Sequence, residues 1–144
     1  MFLDTTYSNK KNQELINDLV GKPYSFLKSI KMKGVGSKRM IIDDVSLNFK
    51  QHMNSISDPN YANIELRTGG ILIYINKGLK NLTWAIPYYQ LVIYKVNGAS
   101  IHANGQFIHF KNNKTFRENK NFFRKMLDEK IKYDSQYDFQ HLWI

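Results

Sequence analysis

The chain contains no cysteine. That excludes disulfides, thiolate metal sites and a cysteine nucleophile together. It also lacks a long apolar run: no segment approaches the roughly 20 apolar residues of a spanning helix. The opening MFLDTTYSNK carries an aspartate where a signal peptide has basic residues, and no apolar stretch of signal-peptide length follows. A cytoplasmic location is the expectation. Acidic residues are missing from two long windows, Leu19 to Ile42 and Leu66 to Arg117. No Gly-x-Ser-x-Gly motif or other nucleophile signature occurs. No catalytic residue is assigned.

What is present is cation and aromatic. The formal charge is +9, and the two acid-free windows hold six and seven of the 21 Lys and Arg residues. Such a regional field favours phosphate, nucleic acid, an anionic membrane surface or an acidic protein face. The plainer alternative is that lysines keep a small domain in solution. Twenty aromatics (9 Phe, 9 Tyr, 2 Trp) and 42% hydrophobic residues argue for a packed core within one domain, residues 1–144.

Periodicity supplies the elements. Residues 9–20 read as a short helix, with Leu15, Ile16, Leu19 and Val20 at helical spacing, Ser8 or Asn9 as the cap, and Gly21 with Pro23 as the stop. Residues 24–33 fit either a strand or a helical start. Ile41, Val45, Leu47 and Phe49 alternate as one face of a strand, with Asp43 out of phase unless a bulge intervenes. Residues 51–60, with Asp58-Pro59, read as a loop. Ile64 and Leu66 enter a turn at Thr68-Gly69 or Gly69-Gly70, and Ile71, Ile73 and Ile75 leave it on the same face. A turn at Lys77-Gly78 precedes residues 82–86, which stop at Pro87. Asn97-Gly98 and Asn104-Gly105 separate three apolar runs and predict a tight meander, because such turns need positive φ. Two-residue connections there align Tyr94, Ile101 and Ile108. Thr115 to Glu118 has the spacing of a capping box. It opens a helix over residues 115–133 whose apolar face is Phe122, Phe123, Met126, Leu127 and Ile131. An aromatic tail, residues 134–144, follows.

Seven or eight short strands in hairpins, closed by one amphipathic helix, resemble a bacterial pleckstrin-homology-like (PH-like) domain. The likeness is clearest in GILIYINKGLKNLTWAIPYYQLVIYK and SIHANGQFIHF, where a strand ending in an aromatic, a turn and an "ipy…i" segment follow one another. It covers residues 24–133. The resemblance implies a mainly β, α+β fold: a partly open β-barrel of antiparallel strands with a C-terminal capping helix, here preceded by the short N-terminal helix. It also implies a binding module without chemistry or cofactor, recognising phosphoinositides, other acidic ligands or peptides. A small nucleic-acid-binding barrel is the alternative, since exposed aromatics between cations can stack on bases.

One stretch concentrates the cations around glycines: KMKGVGSKRM, residues 31–40. It is not a Walker loop, which needs four residues between its glycines and a Gly-Lys-Ser/Thr end. Nor does it complete a dinucleotide fingerprint, because Arg39 stands where the third glycine belongs. The resemblance makes it the loop between the first two strands, where lipid-binding members carry a Lys/Arg-x-Arg alternation. Lys38 and Arg39 are adjacent instead. Lys31, Lys33, Lys38 and Arg39 are therefore the candidate ligand-binding residues, as a diffuse anionic contact to a protein or an anionic surface, a peripheral membrane included. His102 and His109 share a strand face, without a neighbouring carboxylate in sequence to complete a metal site. Asp43 and Asp44 are expected on opposite faces of a strand. Trp84, Tyr88 and Tyr89 flank Pro87 as core or as a peptide-binding patch.

Overall fold

In a computed structural model, which describes residues 1–7, 9–53 and 59–141 and side chains through residue 136, Asn104 and Gly105 take φ of 52° and 75°. Ala103 pairs with Gln106 across them. This is the predicted two-residue turn, and it joins β7 (Gly98–Ala103) to β8 (Gln106–Lys111). Asn97 and Gly98 also have positive φ, 48° and 106°, but their connection is one residue out of step. Gly98 already pairs with Lys111, and a side chain there would run into the Phe110 carbonyl. The shift turns β6 (Val92–Tyr94) over. Ile93, not Tyr94, lines up with Ile101 and Ile108, and Tyr94 is 53% exposed.

The other turns follow the glycines. Arg67 N–H donates to the Gly70 carbonyl at 2.9 Å, which places Thr68-Gly69 at the bend between β3 (Asn60–Leu66) and β4 (Gly70–Lys77). Ile64, Leu66, Ile71, Ile73 and Ile75 are all buried, as their spacing predicts. β4 turns at Gly78-Leu79 into β5 (Lys80–Pro87). A 3-10 turn, Tyr88–Gln90, then buries Tyr88, and Trp84 is also core. Tyr89 is 64% exposed, so the three aromatics do not form one patch.

Eight strands, with β1 at Phe2–Asp4 and β2 at Met40–Val45, pair antiparallel into one sheet in the order β1-β5-β4-β3-β2-β8-β7-β6. The end strands β1 and β6 are not paired with each other, so the sheet is unclosed. β1 (Phe2–Asp4) has no signal in the sequence; it adds to the edge of β5. α1 (Lys10–Val20) starts where Asn9 accepts from the Lys11 and Asn12 amides. Its Ile16 and Val20 form a small second core with Leu72 and Ala85, whereas Leu15 is 40% exposed. β4 is consequently buried on both faces.

The structure resolves residues 24–33, which the sequence left open between strand and helical start, and corrects the reading of residues 41–49 and of the C-terminal helix. Residues 24–33 contain no strand but a helix, α2 (Phe26–Lys31), capped by Ser25. β2 (Met40–Val45) buries Met40 and Ile42, not Ile41. A register shift between Ile42 and Asp44, the bulge expected at Asp43, then brings Val45 inward. The strand ends there, because residues Leu47–His52 wind into a 3-10 helix that buries Phe49 and exposes Leu47. At the C-terminal end, Asn113 rather than Thr115 caps the helix, accepting from the Phe116 amide at 2.9 Å. The helix is interrupted at Asn119, giving α3 (Lys114–Glu118) and α4 (Lys120–His141), and α4 runs through most of the expected tail. Phe122, Phe123 and Met126 are buried and Leu127 is half-buried, but Ile131 is 60% exposed. Ser8, Asp58 and the last three residues, all named in the sequence reading, lie outside the described residues.

Candidate functional site

Because residues 26–31 are the helix α2 and not a strand, residues 31–40 are not a loop joining two paired strands. They run from the end of α2 into β2, alongside β3. Ser37 N–H donates to the Ile64 carbonyl at 2.8 Å and Leu66 N–H to the Val35 carbonyl at 2.8 Å, with a bridge between Gly36 and Glu65. The glycines do turn the chain: Lys33 and Gly34 have φ of 60° and 94°. The turn is filled by the protein itself. Lys125 of α4 reaches in and donates to the Lys33 and Gly34 carbonyls at 3.2 and 2.8 Å. A loop that presents carbonyls to a lysine is the reverse of a phosphate cradle, which presents amides to an anion.

The same segment is locked to the helix break. Asn119 is 3% exposed. Its side chain accepts from the Lys38 amide at 2.8 Å and donates to the Lys38 and Thr115 carbonyls at 3.3 and 3.0 Å. It thus satisfies backbone groups that the interruption and the strand entry leave open. Lys38 Nζ meets Glu118 at 3.3 Å, an exposed ion pair of small energetic weight. Arg39 lies over the Tyr61 ring, 4.4 Å from its centroid. Lys31, Lys33, Lys38 and Arg39 are all exposed.

Two basic stretches far apart in sequence therefore meet. Lys33 and Lys38, in the segment between α2 and β2, touch α4 and α3, which carry Arg117, Lys120, Arg124 and Lys125. Lys33, Arg124 and Lys125 line one shallow cleft together with Asn121 and Asp128. On the far side of α3, Lys95, Arg117 and Lys120 rim a cleft of about 390 Å³ floored by Ala99, Phe116 and Phe123. Glu118 and Asp128 are the acidic side chains in these contacts and clefts. The sequence signal for this corner was present in the basic residues after position 113. It was hidden because their partner segment lies some 80 residues earlier.

The other candidates are structural. Arg67 is 4% exposed, and its guanidinium is used internally. It donates to Glu65 at 2.7 Å, to Asn17 at 3.1 Å and to the Gly21 carbonyl at 2.9 Å, pinning the C-terminal end of α1 to the sheet. Tyr74 donates to the same Glu65; burial and the carboxylate charge push its hydroxyl pKa up to about 12.

His102 and His109 do share a face, opposite Phe107 and Ser100, but each has its own partner. The bulge carries Asp43 to His109 Nδ1, and the Val96 carbonyl lies 3.1 Å from its Nε2. Among the described residues, no group of three or more His, Asp or Glu gathers as a metal site. No described helix is long and apolar enough to cross a membrane. Comparison with protein-family models, curated proteins and solved structures gives no match for this chain.

Proposed function

We propose that this protein is a non-catalytic binding module built on a PH-like, partly open β-barrel, and that it recognises an anionic surface. The observation that carries this reading is the meeting of residues 31–39 with the α3–α4 corner. Asn119 and Lys125 tie the segment there by backbone bonds, and Lys33, Arg124 and Lys125 share one cleft with Asp128. The architecture fits the PH-like resemblance in its two three-stranded meanders, β3–β5 and β6–β8, which β2 links, and in the helix that follows. Each cation near an anionic membrane contributes about 1 kcal/mol, so four of them make a contact that salt weakens. The broken Lys38-Arg39 phase and the filled Lys33-Gly34 turn argue for a diffuse contact without preference for one head group.

Vesicle sedimentation tests the reading. The protein binds phosphatidylserine-containing vesicles at low salt, releases them as salt rises, and ignores neutral phosphatidylcholine. Changing Lys31, Lys33, Lys38 and Arg39 together to Gln weakens binding while the melting temperature holds, because these side chains are exposed. Unchanged binding by the quadruple variant, or tight binding at high salt, removes this assignment.

A further inference from the structure

Helix α2 buries none of its six residues. Phe26, Leu27 and Ile30 are 79%, 73% and 58% exposed. At positions i, i+1 and i+4 they fall within an arc of about 100° on the helix surface. This is an ordered element, not a frayed loop. Ser25 caps it at 3.2 Å, and the Lys33 and Gly34 amides close it on the Ile30 and Ser29 carbonyls at 3.0 and 2.8 Å. Both flanks are fastened: Tyr24 and Met32 pack against the main core, and the Tyr24 hydroxyl donates to the Arg67 carbonyl at 3.4 Å. The fold thus holds three large apolar side chains out into solvent on a pinned support.

Charge identifies what covers them. Lys31 and Lys28 lie on the Leu27 side of the triad, Lys22 and Lys33 flank the helix in the chain, and all four are exposed; the sequence has no acidic residue from Leu19 to Ile42. Lys33 adjoins Lys125 and Arg124 of the basic corner. Apolar tips edged by lysines match the boundary of an anionic bilayer, where head groups meet the lysines and acyl chains take the side chains. We propose that α2 is a membrane-insertion wedge: Phe26, Leu27 and Ile30 enter the interfacial region of an anionic lipid bilayer, and the flanking lysines hold the head groups. This rests on the reading of the protein as an anionic-surface module. It adds a contact that salt does not screen and that soluble anions do not use. A helix of six residues is about 9 Å long, so it lies in the interface and does not cross it.

The test compares the wild-type chain with a Phe26→Ser, Leu27→Ser, Ile30→Ser variant on two probes: phosphatidylserine–phosphatidylcholine vesicles and soluble inorganic polyphosphate. The variant melts like the wild type, since no core side chain is altered. Its vesicle partitioning falls about thirtyfold, in keeping with three partly inserted apolar side chains, and its polyphosphate binding is unchanged. In a second arm, the indole of a Phe26→Trp variant shifts to the blue on vesicles and is quenched by lipids brominated along the acyl chain, read against the wild-type signal. Equal vesicle binding by the triple variant, or an indole that acyl-chain bromine does not quench, overturns the wedge. Wild-type binding to polyphosphate without binding to vesicles overturns the wedge and narrows the anionic-surface reading to partners other than lipid. Binding to neither overturns both. A concentration-dependent dimer lost in the triple variant assigns the face to a second copy of the chain and overturns the wedge.

Discussion

The two meanders are built alike and finished differently. β3–β5 and β6–β8 are each three antiparallel strands with tight turns, and β2 pairs with one strand of each. In the first, β1 extends the edge of β5 and α1 covers the outer face, and Gly70, Ile71, Leu72 and Ile73 are consecutively buried. In the second, Ala99, Ile101, Ala103, Ile108 and Phe110 are buried, while the alternate positions Ser100, His102, Phe107 and His109 stay half-exposed. Two-sided burial produces a continuous apolar run; one-sided burial produces alternation. The difference shows what the N-terminal 20 residues do: they supply a second, smaller core for one half of the sheet.

The largest expected effect breaks that cover. Leu72 is 1% exposed among Ile16, Val20 and Ala85, so Leu72→Ala should cost about 2–5 kcal/mol. Denaturant unfolding measures it. A loss below about 0.5 kcal/mol would mean that α1 does not close over β4 in solution. The corresponding outer position of the second meander sharpens the contrast. Phe107 is half-exposed and stacks on His102, with ring centroids 5.2 Å apart. Phe107→Ala should cost no more than about 1.5 kcal/mol, because little area leaves water at that face. Equal costs at the two sites would erase the distinction between covered and open meander.

The same contrast explains what was legible in the sequence. The β3–β4 hairpin and the Asn104-Gly105 turn were readable because glycine at positive φ and a fixed side-chain period leave few alternatives. Tyr94 was misplaced because one extra residue in the Asn97-Gly98 connection inverts a whole strand, and nothing local announces it. The helix in residues 24–33 was ambiguous because it buries no face, so no periodic demand shaped its sequence. The helix interruption at Asn119 was invisible for a different reason: the Asn119 side chain bonds to the backbone of Lys38, 81 residues away. Residues 31–39 were singled out correctly as a basic turn, but their neighbours at the α3–α4 corner are tertiary facts.

The smallest expected effect is a matter of protons. His102 and His109 lie on the open face of the second meander, and their surroundings push them in opposite directions. Partial burial lowers the His102 pKa from 6.5, where its ring meets Tyr94 edge-on and Phe107 in a stack. Partial burial also acts to lower that of His109. The hydrogen bonds to Asp43 and the Val96 carbonyl and the charges of Asp43 and Asp44 together outweigh it, so the net shift is upward. A raised histidine adds stability that is fully present below the unfolded pKa, about 6.5, and lost as pH climbs through the folded value. A lowered histidine does the opposite: its contribution is present above about 6.5 and lost as pH falls through the folded value. The two therefore oppose each other across pH 6.5, and the stability of the wild-type chain changes less there than that of either single variant. Imidazole resonances followed by NMR should titrate above 6.5 for His109 and below it for His102. Asp43→Asn should bring the His109 midpoint down and leave that of His102 where it was. Two midpoints that coincide, or that move together in the variant, would mean that the bulge in β2 does not deliver Asp43 to this face.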